Sequence, residues 1–261
     1  MALVHSSGFR PRIYDESPWY APIASYLARF DELGRFPSPD ELSALYAEHA
    51  GAHELPLLRF VAAPKTKPKR QKRLPIDPSA LYEGRVIVHG EVPTRLCDWH
   101  DLFNALAFVR FPRAKRALHA RQYQILSARL TPFSTRLPNA RTREQDALTL
   151  FDEGGICVAA PPELAAQLDA ADDDTLGAEL ARDTIRVVPF GHALYEHMAA
   201  SLPVPLGTVF VLPLARPLLH GPLLLDEVDR ALSVALADPS LFTLPSTARG
   251  SALPALLAHT P

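Results

Sequence analysis

The sequence predicts an α+β fold, a helix-rich single domain with a β-hairpin and a small, mostly antiparallel sheet. Three observations carry that expectation. Apolar residues recur at helical spacing behind recognisable caps through the first half of the chain. Helices come first and a sheet bearing a hairpin at a Gly-Gly turn comes later, which favours α+β over a regular βαβ repeat. Finally, 26 of the 261 residues are proline, scattered singly through apolar sequence, which excludes long uninterrupted helices.

In chain order, Trp19, Ile23, Tyr26, Leu27 and Phe30 give helical spacing within 18–33, and Gly34 stops the segment. Ser38, Pro39 and Glu41 form a capping-box start for a second helix bearing Leu42, Leu45 and Tyr46. A short strand at 57–61 leads to Pro64–Arg73, whose six cations and two prolines read as an exposed basic loop. Asp98 opens a helix over 99–109, Pro112 starts a longer one, and 131–141 is a loop. Residues 147–152 and 156–160 read as two strands of a hairpin joined by Glu-Gly-Gly. Further strands are expected at 184–189 and 208–212, and helices at 162–169, 191–200 and 222–237. The acidic stretch 169–174 reads as a solvated loop, and 242–261, where Arg249 is the only formally charged side chain, as a loosely packed tail. The expected organisation is an N-terminal helical segment (1–63) packed on a main α+β domain (74–240), with the basic loop (64–73) between them and a loosely ordered tail (241–261).

Composition narrows the function classes. A formal net charge of -2 gives no global attraction to nucleic acid or an anionic membrane. Nucleic acid would have to be met at Lys65–Arg73, where no aromatic is interleaved for stacking. The most apolar stretch, Val204 to Leu225, is interrupted by Pro205, Pro213, Arg216, Pro217 and Pro222, so no membrane segment or membrane partner is expected. The N-terminal residues hold no apolar run of signal-peptide length, and the two cysteines, Cys97 and Cys157, suit a reducing cytoplasm. Walker, Gly-x-Gly-x-x-Gly, Gly-x-Ser-x-Gly and kinase signatures are absent.

Three places concentrate polar chemistry. The first is Arg95-Leu-Cys-Asp-Trp-His-Asp-Leu-Phe-Asn104 with Lys115 and His119 on the following helix. His100 and Asn104 share one helix face, Lys115 and His119 repeat the spacing, and a helical hairpin would border one cleft with both. His100, in the first helical turn, is disfavoured as a cation and stays available as base or ligand, while Asp101 doubles as a reciprocal cap partner of Asp98. Cys97-x-x-His100 is half of a zinc motif with no second half in the chain. The second place is the acid pair Asp152 and Glu153 beside the Gly-Gly turn, residues that a tight turn also uses. The third is Phe190-Gly-His-Ala-Leu-Tyr-Glu196, where His192 and Glu196 share a face at metal-binding spacing and Tyr195 sits beside them.

The segments Trp-His-Asp-Leu-Phe-Asn-Ala-Leu (99–106), Phe-Pro-Arg-Ala-Lys (111–115), Asp-Ala-Leu-Thr-Leu-Phe-Asp-Glu-Gly-Gly (146–155) and Phe-Gly-His-Ala-Leu-Tyr-Glu (190–196) together resemble a bacterial family, domain of unknown function 3025. The likeness spans roughly 75–215. It implies a bacterial, cytosolic protein and brings no activity or ligand to transfer.

Two readings of function follow. In the first the chain is a metal-assisted hydrolase, with phosphoesters a candidate substrate class. His100, His192, Glu196 and Asp152 hold one divalent ion; His100, Asp101, Asn104, Lys115, Asp152 and Glu153 form the catalytic group; Arg95 and Tyr195 contact substrate, with Lys115 and Arg95 neutralising its charge. In the second it is a non-catalytic interaction protein whose polar clusters form a buried hydrogen-bond network. Whether it is an enzyme stays open between them. An HD-type phosphohydrolase built on His100-Asp101 is a third reading, opposed by the expected strands. One geometric test applies to the first: His100 and His192 must lie within about 10 Å for a single ion to reach both at ~2 Å.

Overall fold

A computed structural model describes residues 8–63, 74–169, 171–200 and 207–244, together with the backbone of 249–251. The α helices are α1 (Ala24–Ala28), α2 (Pro39–Ala52), α3 (Tyr82–Gly84), α4 (Trp99–Arg110), α5 (Pro112–Ala128), α6 (Arg143–Gly154), α7 (Pro162–Leu168), α8 (Asp173–Ala181), α9 (His192–Ala199), α10 (Arg216–Leu219) and α11 (Leu224–Ala237). The strands are β1 (Arg59–Ala62), β2 (Glu91–Thr94), β3 (Gly155–Ala160), β4 (Arg186–Pro189), β5 (Gly207–Pro213) and β6 (Arg249–Ser251). The fold is therefore a helix-rich α+β single domain, as expected. Its larger sheet has the order β4-β3-β5-β6, antiparallel at β3/β4 and β5/β6 and parallel at β3/β5, while β1 and β2 form a separate parallel pair.

Local chemistry explains the helices that the sequence located. Ser38 accepts from Glu41 N while the Glu41 carboxylate accepts from Ser38 N, so α2 begins in a complete capping box with Pro39 in its first turn. Asp98 caps α4 through Asp101 N. The chain then turns at Phe111, where Pro112 starts α5 without a backbone donor to waste. The carboxylate of Asp229, from α11 and only 1% exposed, accepts from Ala114 N and Arg113 N, so a distant acid caps α5.

Three expectations need correction. The hairpin over 147–160 does not form: residues 143–154 are one helix that runs directly into β3. Thr142 accepts from Gln145 N and donates its own N–H to the Gln145 side chain, a capping box that commits the segment to helix. Ala147, Leu148 and Phe151 then point one helical face into the core. The antiparallel partner of β3 is β4, reached through α7 and α8. The single helix over 18–33 is instead α1 between two short 3₁₀ turns, Pro18–Tyr20 and Asp31–Leu33, because Pro22 cannot donate within a continuous helix. The acidic stretch is not wholly loop either, since Asp172 caps α8 at Thr175 N.

Residues 64–73, read as the basic loop, lie outside the described residues. Phe242, read as the start of a loose tail, is buried against Phe151 and Phe210, and 249–251 pair with β5. Strand β3 is buried along its whole length, Cys157 included, and separates two apolar layers. A third apolar cluster joins Ile13, Tyr20, Leu42, Tyr46 and Phe60 from the N-terminal segment to Phe103 and Leu106 of α4.

One close approach fixes the centre of the molecule. A Cβ on Gly191 would meet Gly155 N at 2.4 Å and Glu153 O at 2.5 Å, so only glycine lets the β4–α9 junction lie against the α6–β3 junction. The backbone bonds Phe190 N to Gly155 O and Gly191 N to Gly155 O, both 2.9 Å, fasten the two junctions together.

Candidate metal centre

That contact brings Glu153, at the end of α6, beside His192, the first residue of α9. Helix α4 lies across α9 and delivers His100 from a position 92 residues earlier. One ligand atom each from His100, Glu153 and His192 lies within 4.8 Å of the others. The two imidazole Nε2 atoms are 3.2 Å apart, and His192 Nε2 is 3.5 Å from Glu153 Oε2. The distance test set by the sequence is met.

Hydrogen bonds behind the rings decide which nitrogens carry lone pairs. His192 Nδ1 lies 2.8 Å from the main-chain oxygen of Asp152, which can only accept, so Nδ1 holds the proton and Nε2 offers its lone pair. His100 Nδ1 lies 2.9 Å from Glu196 Oε2 and donates to that carboxylate. Burial, with the charge of Lys115, drives the His192 pKa well below its usual value, so this ring stays neutral. For His100, burial acts to lower the pKa, but the Glu196 bond and the charges of Glu153, Glu196 and Asp101 prevail and raise it. Partial burial raises the pKa of Glu153 despite the opposing influence of His100.

A second polar group lies immediately behind. Lys115 is fully buried and donates to Asp152 Oδ1 at 2.5 Å and to Asn104 Oδ1 at 2.8 Å, with its ammonium 4.6 Å from the Phe108 ring centroid. Asn104 Nδ2 donates to the Tyr82 hydroxyl at 3.1 Å. Burial pushes the Asp152 carboxyl up, but Lys115, together with the neighbouring His192 and His119, outweighs it and the net shift is strongly downward.

The expected site residues therefore separate. His100, His192 and Glu153 come together. Glu196 and Asp152, expected as ligands, stand behind the two rings and orient them, and Glu153 supplies the carboxylate at the centre. Lys115 braces Asp152 from the interior, and half-buried Asn104 braces Lys115 in turn. Asp101 is bound by Arg95, through its backbone N–H at 2.5 Å and its guanidinium at 2.8 Å, so this pair locks the turn before α4. Tyr195 is enclosed among Tyr20 and Phe103 and donates its hydroxyl to Pro189 O, which makes it a core residue. His119 is stacked on Phe108 and buried, with no hydrogen-bond partner at either ring nitrogen among the described residues.

A family model described as a protein of unknown function, DUF3025, matches residues 69–247, more than half of the chain. The chain belongs to the DUF3025 family. All three residues of the centre, and the four that orient or brace them, fall inside the matched DUF3025 region. No curated protein and no solved structure matches the chain. No described helix is long and apolar enough to cross a membrane. Cys97 is exposed and Cys157 buried, and both are free thiols.

Sequence reasoning missed Tyr82 and Asp229 altogether, because each finds its partner far along the chain, Tyr82 at Asn104 and Asp229 at the start of α5. It counted Glu153 as an acid and not as a ligand. The available signal was the Gly155 and Gly191 pair, which marks a close backbone approach as readily as a turn.

Proposed function

We propose that the chain is a metal-dependent hydrolase in which His100, His192 and Glu153 bind one divalent ion. The observation that carries this reading is the pair of Nε2 atoms at 3.2 Å, each on a ring whose Nδ1 is engaged as a donor. Two lone pairs so placed repel unless a proton or a cation lies between them. Two ligands ~2.0–2.1 Å from a tetrahedral ion are about 3.3–3.4 Å apart, close to the 3.2 Å of the Nε2 pair and the 3.5 Å from His192 Nε2 to Glu153 Oε2. Rings backed by a carboxylate and a carbonyl are the usual support of metal-binding histidines.

Three protein ligands leave a coordination position for water. An ion held by these three residues would supply a water of lowered pKa, and so hydroxide near neutral pH. Phosphoester specificity finds less support. Lys115 is enclosed, and the charge of Arg95 is already met by Asp101, so neither offers an uncommitted cation to a substrate anion. The network reading describes the Lys115–Asp152–Asn104–Tyr82 half of the cluster, which braces the centre from inside.

Metal analysis of protein made without a histidine tag, stripped with chelator and reloaded with zinc, manganese or iron(II), tests the proposal. About one tightly held equivalent is expected, lost in His100→Ala and His192→Ala. No retained metal in a folded wild-type protein overturns the metal reading. Hydrolysis is tested with p-nitrophenyl acetate and bis(p-nitrophenyl) phosphate; metal bound without turnover of any ester probe keeps the centre and removes the hydrolase.

A further inference from the structure

A concavity lies between α2, α5 and α11. It measures about 370 Å³, and its lining includes Tyr46, Pro56, Arg113, Arg116, Ala117 and Ser233. None of these residues belongs to the metal centre. The volume falls within the ~300–1,000 Å³ typical of small-molecule sites.

Its charged groups are of one kind. Arg113 is fixed in place: one guanidinium nitrogen donates to Asp229 Oδ2 at 3.3 Å and another approaches His53 O at 3.5 Å. This arrangement still leaves guanidinium N–H groups to spare. Arg116 is exposed, three residues further along α5, and makes no hydrogen bond or ion pair among the described residues. The carboxylate of Asp229, which neighbours Tyr46, is already occupied by the first-turn N–H groups of α5 and by Arg113. The Tyr46 hydroxyl donates to Pro56 O and the Ser233 hydroxyl to Arg230 O, so neither is an unsatisfied donor in the cleft. The remaining wall is apolar, supplied by Leu55, the prolines and the alanines.

We propose that this cleft binds a small organic acid, its carboxylate held by Arg116 with Arg113 and its apolar body against the Pro56 and Ala117 wall. Guanidinium groups bind carboxylates in planar, charge-assisted pairs, and the apolar wall favours a ligand that is more than a bare anion. The proposal is independent of the metal centre.

The probe is 4-phenylbutyrate, followed through the backbone amide resonances of 113–120 in the full chain, beside 4-phenylbutanol and inorganic phosphate. Saturable shifts with 4-phenylbutyrate, at least about tenfold weaker in Arg116→Ala, are expected, as is weaker binding of the uncharged alcohol. Ser233→Trp should remove binding by filling the cleft while both arginines remain, with an unchanged thermal midpoint showing that the fold is retained. Arg116→Lys, keeping the charge without the planar fork, should bind with intermediate affinity. Absence of saturable shifts, unchanged affinity in Arg116→Ala, or equal binding of the alcohol overturns the proposal. Phosphate binding as tightly as 4-phenylbutyrate overturns the role of the apolar wall.

Discussion

Asp152 serves His192 through its backbone alone: the imidazole Nδ1–H of His192 donates to the main-chain oxygen of Asp152 at 2.8 Å, while the carboxylate of Asp152 turns inward to Lys115. One residue thus sets the tautomer of a candidate ligand with its backbone and anchors itself with its side chain. The interior ion pair and the metal centre share a support, and each can be probed separately.

Lys115→Met removes the buried cation and leaves the Asp152 carboxylate largely enclosed without a counter-charge. Breaking one side of such a pair costs about 3–5 kcal/mol. Urea unfolding should show a loss of that order, partly recovered when Asp152→Asn is added. A loss below about 1 kcal/mol would remove the ion pair from any structural role.

Glu196→Gln keeps the shape of the residue behind His100 and removes its charge. Metal affinity should fall by about 10–100-fold, the usual effect of altering a group that orients a ligand histidine. Competition against a chromophoric chelator measures it, and an unchanged Kd would show that Glu196 does not act through His100.

Metal binding should also depend on pH. The pKa values of His100 and Glu153 are both raised in the metal-free protein, so each holds its proton more tightly than usual and must release it to ligate. Affinity is therefore greatest above the raised His100 pKa and declines as pH falls through it, while His192, already neutral, contributes no proton competition there. Calorimetry in buffers of different ionisation enthalpy should detect proton release near neutral pH. A constant Kd from about pH 8 to about pH 6 contradicts this assignment.

His119 gives a separate acid sensitivity. Burial lowers its pKa from 6.5 to about 4. Because the folded value is depressed, the stability associated with the neutral ring is complete above pH 6.5 and is lost as pH falls towards 4. The full span corresponds to about 3 kcal/mol. His119→Leu, which also removes two unpartnered ring nitrogens, should leave stability at pH 7 unchanged or higher and flatten the decline in urea midpoints below pH 6.5. An equally steep decline in the variant assigns the acid sensitivity to other groups.

What the sequence determined by itself is local. The starts of α2 and α4 follow from Ser38 with Glu41 and from Asp98, because a cap acts over three or four residues and is written in adjacent positions. Pro112 at the start of α5 and the helical pairing of His100 with Asn104 are legible for the same reason. The α6 segment was ambiguous, since Ala147, Leu148, Leu150 and Phe151 suit a buried strand as well as a helix; the decision lay upstream, in Thr142 and Gln145. Tertiary structure alone decided the centre. His100, Glu153 and His192 meet because Gly191 admits a backbone contact at Gly155 and because α4 packs on α9. It also separated ligands from supports, drawing Asp152 away to Lys115 and Glu196 behind His100, since a buried charge must find its partner in space and not in the sequence around it.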